Sequence, residues 1–304
     1  MKRRTLLGLL ALALAVPIPV LAQKTTIGVS LPQDDNPFYI AMLKGIKSRA
    51  GELGWEVVTV SSQEDKAKQI NGVQDMIARG VKGILISPID AVGVNAAYDA
   101  AAAAKVPIIS IARASTSPNQ LLHVAMDEKQ IGRDIGEYIA KQIGGKGKVA
   151  IIAGPPGSPT FKNLADGIRE SFVKFSGIAI VFDQFGALTR ERGLKLAEDA
   201  LVANPDLVAI YGANDDIALG AAQAIATAGK KGKVLVTGMN GVPPALRAVQ
   251  DGSVTMTVEL NPVLWGQLGV DVLAGYLKGE KYKQQVFIKH VLIDSTNIES
   301  KMKK

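Results

Sequence analysis

Chemistry in this 304-residue chain must be done with two histidines and no cysteine. His123 and His290 each sit in a strand-like segment among apolar neighbours. That placement suits structural histidines and leaves little for nucleophilic catalysis or a histidine metal site. The acid pairs Asp34-Asp35 and Asp215-Asp216 fall at a turn and at a helix start, where carboxylates act as caps and dipole partners. Gly154-Pro155-Pro156-Gly157 follows a strand, but its prolines remove the backbone donors that a phosphate cradle needs. Gly144-Gly145-Lys146-Gly147 precedes its strand and reads as a helix stop and turn. The chain has no Gly-x-Gly-x-x-Gly after a strand, no Walker loop and no Gly-x-Ser-x-Gly elbow. These residues describe a binder rather than an enzyme, with no cofactor and no metal expected.

The polar turns are carried by alternating apolar strands and amphipathic helices. Strands are expected at 26–31, 55–60, 83–86 and 107–111, with helices from about Pro37, over 64–79 and over 92–104. A second series begins near Asp127, with strands at 149–153, 178–182, 207–211 and 234–237. Helices are expected there near 161–175, 190–203 and 216–228. A long helix around Trp265 to Leu277 and one last strand, 286–293, complete the chain. Near-continuous apolar strands separated by helices imply parallel sheets covered on both faces. The segment from Gly83 echoes the one from Leu207, which suggests two similar doubly wound α/β lobes. Ligands bind outside the carboxyl ends of such strands. The turns of interest are therefore 32–39, 87–92, 112–117, 154–163, 183–190, 212–216 and 238–243.

Lys2, Arg3 and Arg4 precede an apolar run from Leu6 to Leu21 that closes on Val20-Leu21-Ala22. This has the form of a secretory signal peptide, residues 1–22, cleaved on export to the periplasm. Its strongly apolar stretch favours the general secretory route over the twin-arginine one. Removing those 22 of 304 residues leaves 282, a length suited to two domains. The formal charge of +7 then loses three lysine and arginine residues and no acid. No basic stripe interleaved with aromatics remains, which excludes nucleic acid as the expected partner. The tail Lys301, Lys303, Lys304 reads as a solvated end.

The turns also carry a family pattern. Asn36-Pro37-Phe38-Tyr39, Ile86-Ser87-Pro88-Ile89-Asp90, Ile111-Ala112-Arg113, Asn214-Asp215-Asp216-Ile217-Ala218-Leu219-Gly220-Ala221 and Thr257-Val258 before Pro262 resemble the ribose-type periplasmic sugar-binding proteins. The resemblance covers residues 24–293. It implies a type I periplasmic binding protein with a three-segment hinge. The lobes would be 23–126 plus 261–289 and 127–260 plus 290–304, crossing near Met126-Asp127, Leu260-Asn261 and Lys289-His290. It also implies an ABC permease as partner, with a chemoreceptor or sensor kinase as the alternative, and a monomer. The repressors of the same fold carry a DNA-reading module where this chain has an export signal.

By the same resemblance, Asn36, Ser87, Arg113 and Asn214 would bind ligand polar groups, with Phe38 and Tyr39 as aromatic walls. Four family polar positions are changed here. Ala112 replaces a carboxylate, Asn240 an acid, Leu164 an arginine (with Lys162 nearby) and Leu260 a glutamine (with Glu259 adjacent). Buried hydroxyls left unmatched would each cost about 1 kcal/mol or more. The expected ligand is a small polar sugar, polyol or sugar-derived compound with fewer hydroxyls than an aldopyranose, or with an apolar or acidic portion.

Overall fold

A computed structural model describes residues 24–156 and 158–302; the expected signal peptide, 1–22, lies outside the described residues, as do Gln23, Gly157, Lys303 and Lys304. The first apolar strands, β1 (Thr26–Leu31), β2 (Glu56–Ser61), β3 (Ile84–Ile86), β4 (Ile108–Ile111) and β5 (Leu122–Ala125), alternate with α1 (Pro37–Glu52), α2 (Lys66–Ala78) and α3 (Asn95–Ala103). The second series runs through α4 (Glu128–Gln142), β6 (Lys146–Ala153), α5 (Pro159–Phe172), β7 (Gly177–Phe185), α6 (Arg190–Ala203) and β8 (Leu207–Gly212). It continues with α7 (Asp215–Thr227), β9 (Leu235–Asn240), α8 (Pro243–Gln250) and β10 (Met256–Glu259). The chain closes with α9 (Pro262–Leu277), β11 (Gln285–Phe287), β12 (Val291–Asp294) and α10 (Ile298–Met302).

These strands form two six-stranded sheets, ordered β11-β5-β4-β3-β1-β2 and β12-β10-β9-β8-β6-β7. All pairings are parallel except β10 with β12. The five-strand order β5-β4-β3-β1-β2 repeats as β10-β9-β8-β6-β7, the structural counterpart of the echo between Gly83 and Leu207. Each sheet is doubly wound, and its connections reverse direction between β1 and β3 or between β6 and β8. Successive elements change sheet three times: from β5 to α4, from β10 to α9, and from β11 to β12.

The expected single strand over 286–293 is thus two. Residues 288–290 carry the chain out of one sheet and into the other, so β11 and β12 continue the same apolar stretch in different cores. The helix α4 has no counterpart among the sequence-based expectations, although Ile131, Ile135 and Ile139 are spaced for one buried face. Gly132 and Gly136 interrupt the helical pattern there, and they do so for a packing reason. A side chain at Gly132 would overlap the backbone of Leu164, and one at Gly167 the backbone of Lys129. The same reciprocal close approach joins α1 to α9 through Gly45 and Gly266, and α6 to α7 through Gly193 and Gly220.

The core of the first lobe lies on both faces of its sheet. Ile27, Val29, Met42, Trp265 and Leu273 fill one face, and Val73, Met76, Ile84 and Tyr98 the other. The second lobe buries Ile131, Val149, Ile151, Ile210 and Val258 in a continuous cluster. Each such side chain contributes about 1.5–3 kcal/mol through removal from water. At the strand ends, polar residues start the helices. Asn36, Asp65, Asp127, Asn214 and Asn261 each accept a hydrogen bond from a first-turn amide. The cap of α1 is Asn36, not Asp34 or Asp35 as the acid pair suggested.

Candidate functional site

The first lobe brings an aromatic wall and a cation together at the carboxyl ends of its strands. Pro37 at the first position of α1 fixes the turn, and Asn36 caps it: its Oδ1 accepts from the Phe38 amide at 2.9 Å. Asn36 Nδ2 donates to Gln33 Oε1 at 3.1 Å, so much of this amide's capacity holds the turn itself. Phe38 stands edge-on to Tyr39, with centroids 5.3 Å apart, and edge-on to Trp265 at 5.9 Å. Trp265 is anchored by its indole N–H, which donates to the Val124 carbonyl at 2.8 Å. Over the Tyr39 ring sits the Arg113 guanidinium, 5.8 Å from the centroid, close enough for a cation–π attraction.

Arg113 reaches that position because of a tight corner. Its amide donates to the Ile111 carbonyl at 2.8 Å, closing a three-residue turn about Ala112, whose φ is +62°. The Ala112 amide donates to Val124 at 3.0 Å, and its carbonyl faces His123 Nε2 at 3.3 Å. His123 is buried, Nδ1 is unpartnered, and burial holds its pKa below the ordinary value, while the Ala112 contact opposes that shift. An acid also stands near Arg113, although none is adjacent in sequence. Glu64 Oε1 lies 3.8 Å from Nη1.

Ser87, at the end of β3, is fully buried, and its hydroxyl has no partner. Beside it the buried Gln69 joins two strand ends. Its Nε2 donates to Ser30 Oγ at 3.2 Å and the Ser87 carbonyl at 3.0 Å, while Oε1 accepts from the Ile89 amide at 2.9 Å. Sequence reasoning passed over Gln69 because its spacing on α2 is that of an ordinary core position.

In the second lobe Asn214 caps α7, accepting from the Ile217 amide at 2.9 Å and donating to Leu188 at 3.4 Å. Next to it Asp215 is buried rather than a solvated dipole partner. Its Oδ1 accepts from Thr257 Oγ1 at 2.6 Å and Oδ2 from the Val242 amide at 2.8 Å. Burial, the largest influence, raises its pKa against these hydrogen bonds. Asp216 faces Arg190 at 3.5 Å. Asn240 ends β9 exposed, at φ +124°.

Two positions depart from expectation. Leu164 is fully buried in the core of the second lobe, on the helix face that packs against α4, so it is withdrawn from the site. Lys162 is turned to Asp166 at 2.5 Å. Leu260 is half-buried against the same core as it leaves β10. Glu259 does not stand free beside it, because Lys301 Nζ pairs with its carboxylate at 2.5 Å. Lys301 therefore docks on the lobe, contrary to its reading as a solvated end. His290, at the third crossover, contacts Asp134 of α4 at 2.8 Å.

A cavity of about 560 Å³ opens at the ends of β1 and β2, beside Leu31, Gln33, Asp34, Tyr39 and Ser61. Another, of about 360 Å³, adjoins Leu188, Thr189, Arg190 and Asp216 in the second lobe. Among the described residues no group of three metal-ligating side chains converges. Guanidinium, amide and hydroxyl groups beside an aromatic face can hold a small polar molecule by hydrogen bonds and contact with its C–H surface.

The two-lobed fold has relatives among known proteins. Residues 27–281 match the periplasmic binding protein domain. The chain is 35% identical over 282 residues to the ribose import binding protein RbsB of Salmonella typhimurium, covering 92% of this chain and 94% of that one. A solved structure of a periplasmic ribose ABC transporter from Conexibacter woesei superposes with a TM-score of 0.84 at 30% identity, covering 92% and 95% of the two chains. A solute-binding protein from Bacillus halodurans with bound myo-inositol gives 0.73 at 26% identity, covering 91% and 97%. With two parallel-sheet lobes and a family match over most of its length, the chain belongs to the periplasmic binding protein family, as a ribose-type sugar-binding member.

Proposed function

We propose that the protein is exported and serves, as a monomer, as the periplasmic receptor of an ABC importer, closing its lobes over a small sugar, polyol or sugar-derived ligand. The observation that carries this reading is the Arg113 guanidinium held over the Tyr39 ring at the strand ends. The guanidinium can donate to a sugar's hydroxyl edge, while the Tyr39 ring is buried beneath it and Phe38, partly buried alongside, offers the aromatic surface for the C–H face. Asn36, Phe38 and Ser87 join them from the first lobe, and Asn214 and Asn240 from the second. Ala112 offers no polar side-chain atom and Leu260 packs against the core, which favours a ligand with fewer hydroxyls than an aldopyranose. Support for export comes from the N-terminal sequence and from the family. Among the described residues no helix is long and apolar enough to cross a membrane.

The test is mass spectrometry of the compound released when the purified protein is denatured, followed by thermal shift with that compound. Ligand at a hundred times its Kd stabilises by about 2.7 kcal/mol, which is readily detected. Conversion of the compound by the purified protein would contradict a receptor role. So would the absence of any stabilising sugar or polyol.

A further inference from the structure

Glu64 and Arg113 belong to connections that are far apart in the sheet. Arg113 follows β4 and Glu64 follows β2, with β3 and β1 between them. The side chains therefore meet across three strand spacings, about 14 Å of strand ends. That span includes the gap between β3 and β1, the point at which a doubly wound sheet opens its crevice. The ion pair arches over the same ground as the Tyr39 ring, to which Arg113 is also held.

The backbone that presents Glu64 is unusual. Gln63 and Glu64 both take left-handed conformations, with φ of +50° and +56°. Side-chain-bearing residues adopt this region rarely, and two in succession persist only where the surroundings fix them. Here the Glu64 amide donates to the Pro32 carbonyl at 2.9 Å, tying the loop to the connection that carries Asn36. The Ser62 hydroxyl donates to Leu31 at 3.2 Å, and Lys68 Nζ holds Gln63 Oε1 at 3.0 Å. The pair itself does not explain the strain. At 3.8 Å, with both side chains more than two-fifths exposed, it contributes little to stability. Ala112 also has a positive φ just beyond β4, and Asn240 has one at the end of β9, so among the described residues four of the five positive-φ non-glycine residues lie at or just past the carboxyl ends of strands.

We propose that Glu64 is a ligand-binding residue that selects neutral polyhydroxylated ligands. The inference rests on the receptor reading above and narrows its ligand class. A free hydroxyl both donates and accepts. Glu64 accepts a hydrogen bond from one hydroxyl while Arg113 donates to the oxygen of its neighbour, so the two side chains match a vicinal diol. As the lobes close and water leaves, the same carboxylate repels a sugar acid. This sets aside the acidic ligands that an arginine without a neighbouring acid would admit.

The test is calorimetry on ligand-stripped parent, Glu64→Ala and Glu64→Gln proteins, with ribose, allose, arabinose, myo-inositol and the anion ribonate. Glu64→Ala should weaken the tightest neutral ligand about tenfold, and Glu64→Gln less, because the amide oxygen still accepts. The preference for neutral ligand over ribonate should fall in Glu64→Ala. Melting temperatures without ligand should match the parent, which separates a lost contact from a lost fold. A weakening of threefold or more supports the proposal; a smaller one overturns it and leaves the receptor reading standing. A parent protein that binds ribonate and none of the neutral compounds overturns the proposal alone, and one that binds none of the five overturns both.

Discussion

His123 Nε2 lies 3.3 Å from the carbonyl oxygen of Ala112, the left-handed residue that turns Arg113 over the Tyr39 ring. A buried imidazole thus braces the corner from which the site's cation projects. His123→Leu should remove that brace and weaken ligand binding about five- to tenfold, the effect of one net hydrogen bond. His123→Gln, which can donate to the same carbonyl, should recover most of it. Calorimetry on the two variants checks the pair; equal affinity for both would make the contact incidental.

The same histidine predicts a pH dependence. Burial lowers its pKa in the folded state below the ordinary 6.5. As pH falls through that value the unfolded chain takes up the proton first. His123 therefore contributes stability above about pH 6.5 and loses it progressively below. Melting temperatures of the parent should fall more steeply between about pH 6.5 and 5 than those of His123→Gln. Parallel curves would contradict the assignment.

Arg113→Ala should abolish tight ligand binding and leave the unliganded melting temperature within about 2 °C of the parent. The guanidinium is nearly half exposed, and its ion pair with Glu64 is a weak surface one. Differential scanning calorimetry without ligand supplies the control. A large drop would mean that Arg113 holds the lobe together.

Asp215 carries the opposite expectation, because its bonds tie β10 and the turn before α8 to the start of α7. Asp215→Ala strands Thr257 Oγ1 and the Val242 amide and should destabilise by about 2–4 kcal/mol. Asp215→Asn keeps an acceptor and a donor in place and removes a buried charge, so it should cost under about 1 kcal/mol. Urea unfolding distinguishes the two.

The parallel strands were legible because they are continuous apolar runs with turn residues between them, and β1, β4 and β8 fall close to their expected bounds. The final apolar run was not divisible in advance. Nothing local in Val286 to Ile293 marks where the chain leaves one sheet for the other; that depends on which core each half finds. Glycines that hid α4 are those that let its backbone meet α5. Asn36, Arg113 and Asn214 could be placed at strand ends from sequence because each lies on a single connection directly after an apolar strand. Leu164 was misplaced because a motif fixes a position along the helix and not the face it turns to. Glu64 was invisible because its partner is 49 positions away in the chain and three strands away in the sheet.

The central claim, two lobes that close over a ligand, is tested most directly by small-angle X-ray scattering on stripped protein with and without saturating released ligand. Closure about the three crossovers should reduce the radius of gyration, and Arg113→Ala should abolish the change at the same ligand concentration. Equal radii for the parent at proven saturation would contradict the clamp.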